Sequence, residues 1–176
     1  MKKMLLVLLA VLFLAGAGWG QEGAKPSWAL SFELGGSLIA PIGVGAEVFL
    51  GHLGLGAEFR FLFMALSGVF ESTMEPGAAV RWYFGNLDSS LFLMGGVSYL
   101  TGFAIGEGGA GTSPIGLLKP KVGIGYQALF GKNNRTRFAA EIGAVYIWPV
   151  VKGNLIDVAD IFPVLPHALI MFGRAF

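Results

Sequence analysis

Reactive side chains are scarce in this chain. It has two histidines, His52 and His167, and no cysteine. Hydrolysis or acyl transfer needs a general base held beside a hydroxyl nucleophile. His52 has no serine beside it, and His167 lies between Pro166 and Ala168. On a strand the same-face neighbour of His167 is Leu169, which has no hydroxyl to activate. Both histidines read as solvated rim residues. Asp157 and Asp160 form a lone Asp-x-x-Asp, far short of a calcium ligand set. Without cysteine or a His-Glu cluster at ligand spacing, no metal is expected. The glycine run 106–111 lacks the Lys-Ser/Thr of a phosphate-cradling loop. No catalytic residue, metal or cofactor is therefore expected. The charges that do show a pattern are Glu33, Glu47, Glu58, Arg60, Arg81 and Glu141, with Lys119 and Lys121, all on one parity of otherwise apolar segments. Such residues suit ion pairing in an enclosed space better than catalysis.

The segments that carry them alternate with the period of strands. Eight are expected, over 28–38, 42–50, 54–66, 77–85, 90–103, 117–130, 136–148 and 164–176. Glycines inside them argue against helix, and their Val, Ile, Phe, Tyr and Trp favour strand. The connections at 51–53, 85–89 and 131–135 are short, with turn-forming residues. Those at 67–76, 104–116 and 149–163 are longer, and 38–41 is a tight exception. An even strand number puts both termini and all the short turns at one end.

The N-terminus has the three parts of a secretory signal. Lys2 and Lys3 are charged, 5–14 is an apolar run too short to span a bilayer, and Ala15-Gly16-Ala17 is a small-residue cleavage pattern. Residues 1–20 are expected to be a signal peptide and 21–176 one domain. The twelve Lys and Arg include Lys2 and Lys3, so ten remain against eleven acids. No basic run suggests a nucleic-acid partner. Hydrophobic residues make up 55% and charged residues 13%, too few charges for an ordinary soluble surface. No later segment is long and apolar enough for a transmembrane helix, which leaves a closed barrel as the structure able to satisfy its backbone in lipid.

One strand face carries Leu30, Phe32, Val44, Phe59, Phe61, Leu93 and Ile124, and the other carries the charges and most glycines. A lipocalin-like barrel would turn the apolar face inward. The sparse charges, the glycines on the charged face and the aromatics near strand ends favour the inverse. Trp28, Trp82, Phe84, Phe130 and Phe138 lie toward the end of the termini, and Tyr99 and Trp148 toward the other, as two membrane girdles would. Arg174 is a misfit, outward by parity and near the rim, where a long cation reaches headgroups.

With its leader, its eight segments and a last strand containing Phe172 and ending at Phe176, the chain resembles the eight-stranded outer-membrane barrels of the outer-membrane protein A transmembrane domain and outer-membrane protein X type. The resemblance implies an all-β, antiparallel, up-and-down barrel in the cell outer membrane of a Gram-negative bacterium. It implies that Phe172 and Phe176 are read by the barrel-assembly machinery, and that outer-membrane lipids and lipopolysaccharide surround a monomer. Some such barrels modify lipid A, and their deacylases place a Ser two residues after a lipid-facing His; here that position is Leu169. The expected function is structural or carried by surface loops, with a plugged polar lumen. The alternatives are a lipid- or small-solute-binding or transport barrel, then a lipid A-modifying enzyme. Within the lumen the six central charges are expected at one depth, with Glu33 opposite Glu47 and Arg60 opposite Arg81. Lys119 and Lys121 are expected nearer the outer mouth.

Overall fold

The computed structural model describes residues 26–36, 42–66, 69–105, 112–131, 135–151 and 163–176. The leader, the glycine run 106–111 and Asp157 and Asp160 lie outside them. The described elements are all strands: β1 (Trp28–Gly36), β2 (Ile42–Leu50), β3 (Leu53–Leu66), β4 (Val69–Tyr83), β5 (Ser89–Ile105), β6 (Thr112–Phe130), β7 (Thr136–Tyr146), β8 (Trp148–Val151) and β9 (Val164–Ala175). Each pairs antiparallel with its neighbours, and β9 returns to β1, so the sheet closes on itself. β8 prolongs β7 along β6, with Val145 opposite Lys121 and Trp148 opposite Leu118 in one register. The ladder lapses between those pairs, where Pro120 has no N–H to give and Ile147 donates instead to the Pro163 carbonyl. The barrel therefore has eight strands.

Two connections differ from expectation. β4 begins at Val69 instead of 77, β5 runs to Ile105, and β6 begins at Thr112, so the long loops at 67–76 and 104–116 are largely strand. The polar stretch before Pro76 belongs to a wall with a polar inner face. Thr73 and Glu75 are buried inside, while Met74 is exposed outside. Pro76 keeps its place opposite Phe59 on β3, and the ladder to β5 skips Glu75 and Pro76. At the tight turns, Gly51 and Gly131 take φ of 66° and 82°, which only glycine adopts freely.

The seam is tied by backbone bonds at the chain's end. Phe176 donates to Trp28 O at 2.8 Å, and its own oxygen accepts from Ser27 N at 2.7 Å. Outside, the wall is apolar: Leu91, Val122 and Ile142 are each more than 60% exposed. Inside, Glu33, Glu47, Glu58, Arg60, Arg81, Lys119, Lys121 and Glu141 are all buried. The charged face points inward, the inverse of a lipocalin-like barrel.

Candidate functional site

The site is the lumen, and inward glycines make room for its charges. A Cβ at Gly45 would strike the Glu33 carboxylate, and one at Gly54 the Glu47 carboxylate. A Cβ at Gly77 would lie 2.7 Å from Glu58 Oε1, and one at Gly56 3.1 Å from Arg81 Nη1. Eight strands leave an interior about as wide as side chains can fill. Alternate glycines are what let long charged residues fold across it.

Two clusters result. In the first, Arg60 is the hub. Its Nε donates to Glu33 Oε2 at 2.9 Å, its Nη2 to Glu58 Oε2 at 2.6 Å and its Nη1 to Glu75 Oε1 at 3.4 Å. Lys119 Nζ donates to Glu75 Oε2 at 2.7 Å, Lys121 Nζ donates to Glu58 Oε1, and Ser98 Oγ donates to Glu75 Oε1 at 2.7 Å. Three carboxylates thus meet three cations.

The second cluster centres on Glu47. Its Oε2 accepts from Arg81 Nη1 at 3.2 Å and from Arg137 Nη2 at 2.5 Å, and its Oε1 from the Tyr83 hydroxyl at 2.8 Å. Arg81 Nη2 also donates to Glu141 Oε2 at 3.1 Å, and His167 Nε2 lies 2.8 Å from Glu141 Oε1. Arg137 also donates to Gln127 Oε1, Ser31 Oγ and the Tyr83 hydroxyl. Two carboxylates meet two guanidiniums, with the imidazole beside them. Among the described residues no hydrogen bond joins the two clusters. Between them lies a cavity of about 10 Å3, the space of a single water, lined by Glu33, Glu47, Glu58, Arg81 and Arg137.

Several expectations need correcting. Arg60 faces Glu75, not Arg81, and Arg81 faces Gly54. Glu33 faces Gly43, and Glu47 faces Ala29. β4 begins at Val69, earlier than its polar sequence implies, which slides the β3–β4 partners along. The charges divide into two groups instead of sharing one depth, and Lys119 and Lys121 are bonded into the Arg60 cluster. His167 is not a solvated rim residue but only 3% exposed. Its register partner is Gly143, which makes Glu141, two residues back on β7, its diagonal neighbour on the inner face. His52 is a turn residue, its Nδ1 3.0 Å from Tyr83 O and its ring stacked on Trp82.

Glu75, Arg137 and Tyr83 were missed from sequence. Glu75 sits in the stretch that reads as loop, and Arg137 follows a polar turn. Arg137 is nonetheless four residues before Glu141, on the same parity, which was a usable signal.

Of the aromatic residues, Trp82, Phe84, Phe130, Phe138, Phe172 and Trp148 are exposed on the outer wall, while Trp28 and Tyr99 are half-buried. Phe176 is buried, its ring 4.1 Å from that of Trp28 at an interplanar angle of 15°.

The arrangement suits holding charge in place. His167 and Glu141 have the geometry of a base and its orienting carboxylate, but among the described residues no hydroxyl is hydrogen-bonded to His167. The described residues also hold no group of three or more His, Cys, Asp or Glu fit for a metal ion.

No protein-family model and no curated protein matches the chain. Two solved structures share its fold. The N-terminal β-barrel domain of Pseudomonas aeruginosa OprF is 13% identical with a TM-score of 0.54, over 86% of this chain and 100% of that one. Neisserial surface protein A is 15% identical with a TM-score of 0.51, over 84% of this chain and 93% of that one. The chain has the closed, eight-stranded antiparallel fold of these barrels.

Proposed function

We propose that this protein is an integral outer-membrane β-barrel of a Gram-negative bacterium, non-enzymatic, structural or acting through its surface loops, with a lumen plugged by its own ion pairs. The observation that carries this reading is the inversion of the wall. Large apolar side chains cover the outside while Glu33, Glu47, Glu58, Glu75 and Glu141 are buried inside. A monomeric soluble protein rarely exposes one contiguous apolar patch beyond a few hundred Å2, whereas a barrel in lipid needs such a band. The fold shared with two outer-membrane proteins supports the same location. Outer-membrane lipids and lipopolysaccharide are then the solvent of the belt, the assembly machinery the partner during biogenesis, and a monomer the working form.

The plugged lumen rests on the two clusters and on the small cavity between them. A solute-binding or transport lumen would need a pocket of several hundred Å3. A lipid A-modifying enzyme would need a nucleophile beside His167.

The test is gel mobility of the detergent-folded protein before and after boiling, with fractionation of expressing cells. A folded barrel in the outer-membrane fraction that shifts on boiling is expected. Recovery as a soluble periplasmic protein with no shift refutes the reading.

A further inference from the structure

We infer that Arg174, backed by Phe176 and Trp28, is a seat for the phosphate of one phospholipid headgroup at the rim where β1 begins and β9 ends. The inference rests on the membrane reading above. Arg174 lies on the outer wall: Ile170 and Phe172 on its parity are exposed, while Met171 and Ala175 on the other are buried. Its cross-strand partners are Leu30 on β1 and Thr136 on β7. Thr136 places a hydroxyl beside it on the same face.

The guanidinium is held but not neutralised. Its carbon lies 5.6 Å from the centre of the Phe176 ring, which is itself stacked on Trp28. Its Nε is buried and has no hydrogen-bond partner. Among the described side chains no carboxylate pairs with it: Glu33, Glu47, Glu58, Glu75 and Glu141 are engaged inside the barrel, and Asp88 stands exposed in the β4–β5 turn without an ion pair to Arg174. The oxygen of Phe176 is taken by the N–H groups of Ser27 and Trp28.

A guanidinium on a lipid-facing wall needs an anion, and none of the described side chains supplies it. The height agrees. Trp82, Phe84, Phe130 and Phe138 stand at strand ends on the same rim, the level at which aromatic residues meet headgroups. A planar fork of N–H donors matches phosphate oxygens, and aromatic backing fixes the plane of the fork. The occupant is therefore the phosphodiester of a phospholipid in the adjacent leaflet, its acyl chains lying against the belt.

The test uses the mature protein folded in maltoside micelles, with phosphatidylglycerol added and retained lipid counted by native mass spectrometry. One lipid should stay on the parent. Arg174→Gln should lower its occupancy about tenfold, the loss of one charge-assisted contact. Arg174→Lys, which keeps the charge without the fork, should fall between. Diacylglycerol with the same chains should not be retained, and millimolar inorganic phosphate should not displace the lipid. Equal retention by parent and Arg174→Gln, or equal retention of diacylglycerol, overturns the inference. Displacement by inorganic phosphate overturns the lipid as the source of the anion. Boiling-dependent gel mobility is recorded for every variant. Its absence from the parent would fail the membrane reading itself, a different result from a folded barrel that ignores the headgroup.

Discussion

Arg137 reaches across the lumen to Glu47, 90 residues away in the chain, and donates to its carboxylate at 2.5 Å. The contact ties β7 to β2, strands that share no ladder. Backbone pairing joins each strand only to its neighbours, so cross-lumen bonds of this kind are what hold the barrel's cross-section. Arg137→Ala is expected to destabilise the folded barrel by about 3–5 kcal/mol, the cost of breaking a buried pair from one side. Removing both charges with Arg137→Met and Glu47→Gln should recover part of the loss. Urea unfolding from lipid vesicles measures both variants.

The inward glycines make a second, steric prediction. Gly54→Val should prevent folding, because its side chain would occupy the place of the Glu47 carboxylate and approach Tyr83. Gly95 is on the outer parity, and a Cβ there meets nothing within 4 Å. Gly95→Val should fold as well as the parent. The fraction of protein showing boiling-dependent mobility compares them, and equal yields would mean the lumen is looser than these distances state.

The strand count and the orientation of the two faces were legible because each depends only on parity within a strand. Glu33, Glu58 and Arg81 need no partner to be assigned to the inner face. Which charges meet was not legible, because that depends on where each hairpin turns. The polar residues before Pro76 look like loop in a protein with a polar exterior. In an inverted barrel they are inner wall, so β3 and β4 pair as far as Leu66 and Val69 and Arg60 meets Glu75. Arg137, inside the expected strand 136–148, was not counted among the lumen charges, and Lys119 and Lys121 were placed at the mouth, whereas all three ion-pair with the carboxylates.

Phe176 should matter for assembly beyond its ring. Its backbone closes the β1–β9 seam through Trp28 and Ser27. Deleting it removes those bonds as well as the stack on Trp28, whereas Phe176→Leu keeps the backbone. The deletion is expected to leave periplasmic aggregates and the substitution an intermediate level of barrel. Fractionated cells probed for the boiling shift read the difference, and a deletion that assembles normally would remove Phe176 from the assembly signal.

The belt predicts a depth-dependent penalty. Ile124 pairs with Leu93 and Ile142 in the middle of the wall and is 54% exposed. Ile124→Lys should cost about 2–4 kcal/mol of stability in bilayers, the range for a cation at the midplane. Phe130→Lys, at the rim of the same strand, should cost under about 1 kcal/mol from the charge itself. Equal penalties at the two sites would place the membrane elsewhere.

Arg81 tests the plug. Its guanidinium bridges Glu47 and Glu141, lies 5.7 Å from the centre of the Phe92 ring, and borders the small cavity between the clusters. Arg81→Ala leaves Glu141 with only the His167 contact and is expected to cost about 3–5 kcal/mol. It also removes one of the two arginines lining the cavity between the clusters. In planar bilayers the parent should show no steady large conductance. Arg81→Ala, if refolded at low temperature to offset its lost stability, should show brief small openings as water enters. Arg81→Lys keeps a charge near both carboxylates but loses the fork, and should stay closed while losing part of the stability. Steady large conductance by the parent, or an Arg81→Ala variant as stable and as tight as the parent, would sink the plugged lumen, because either would mean that these buried pairs do not close it.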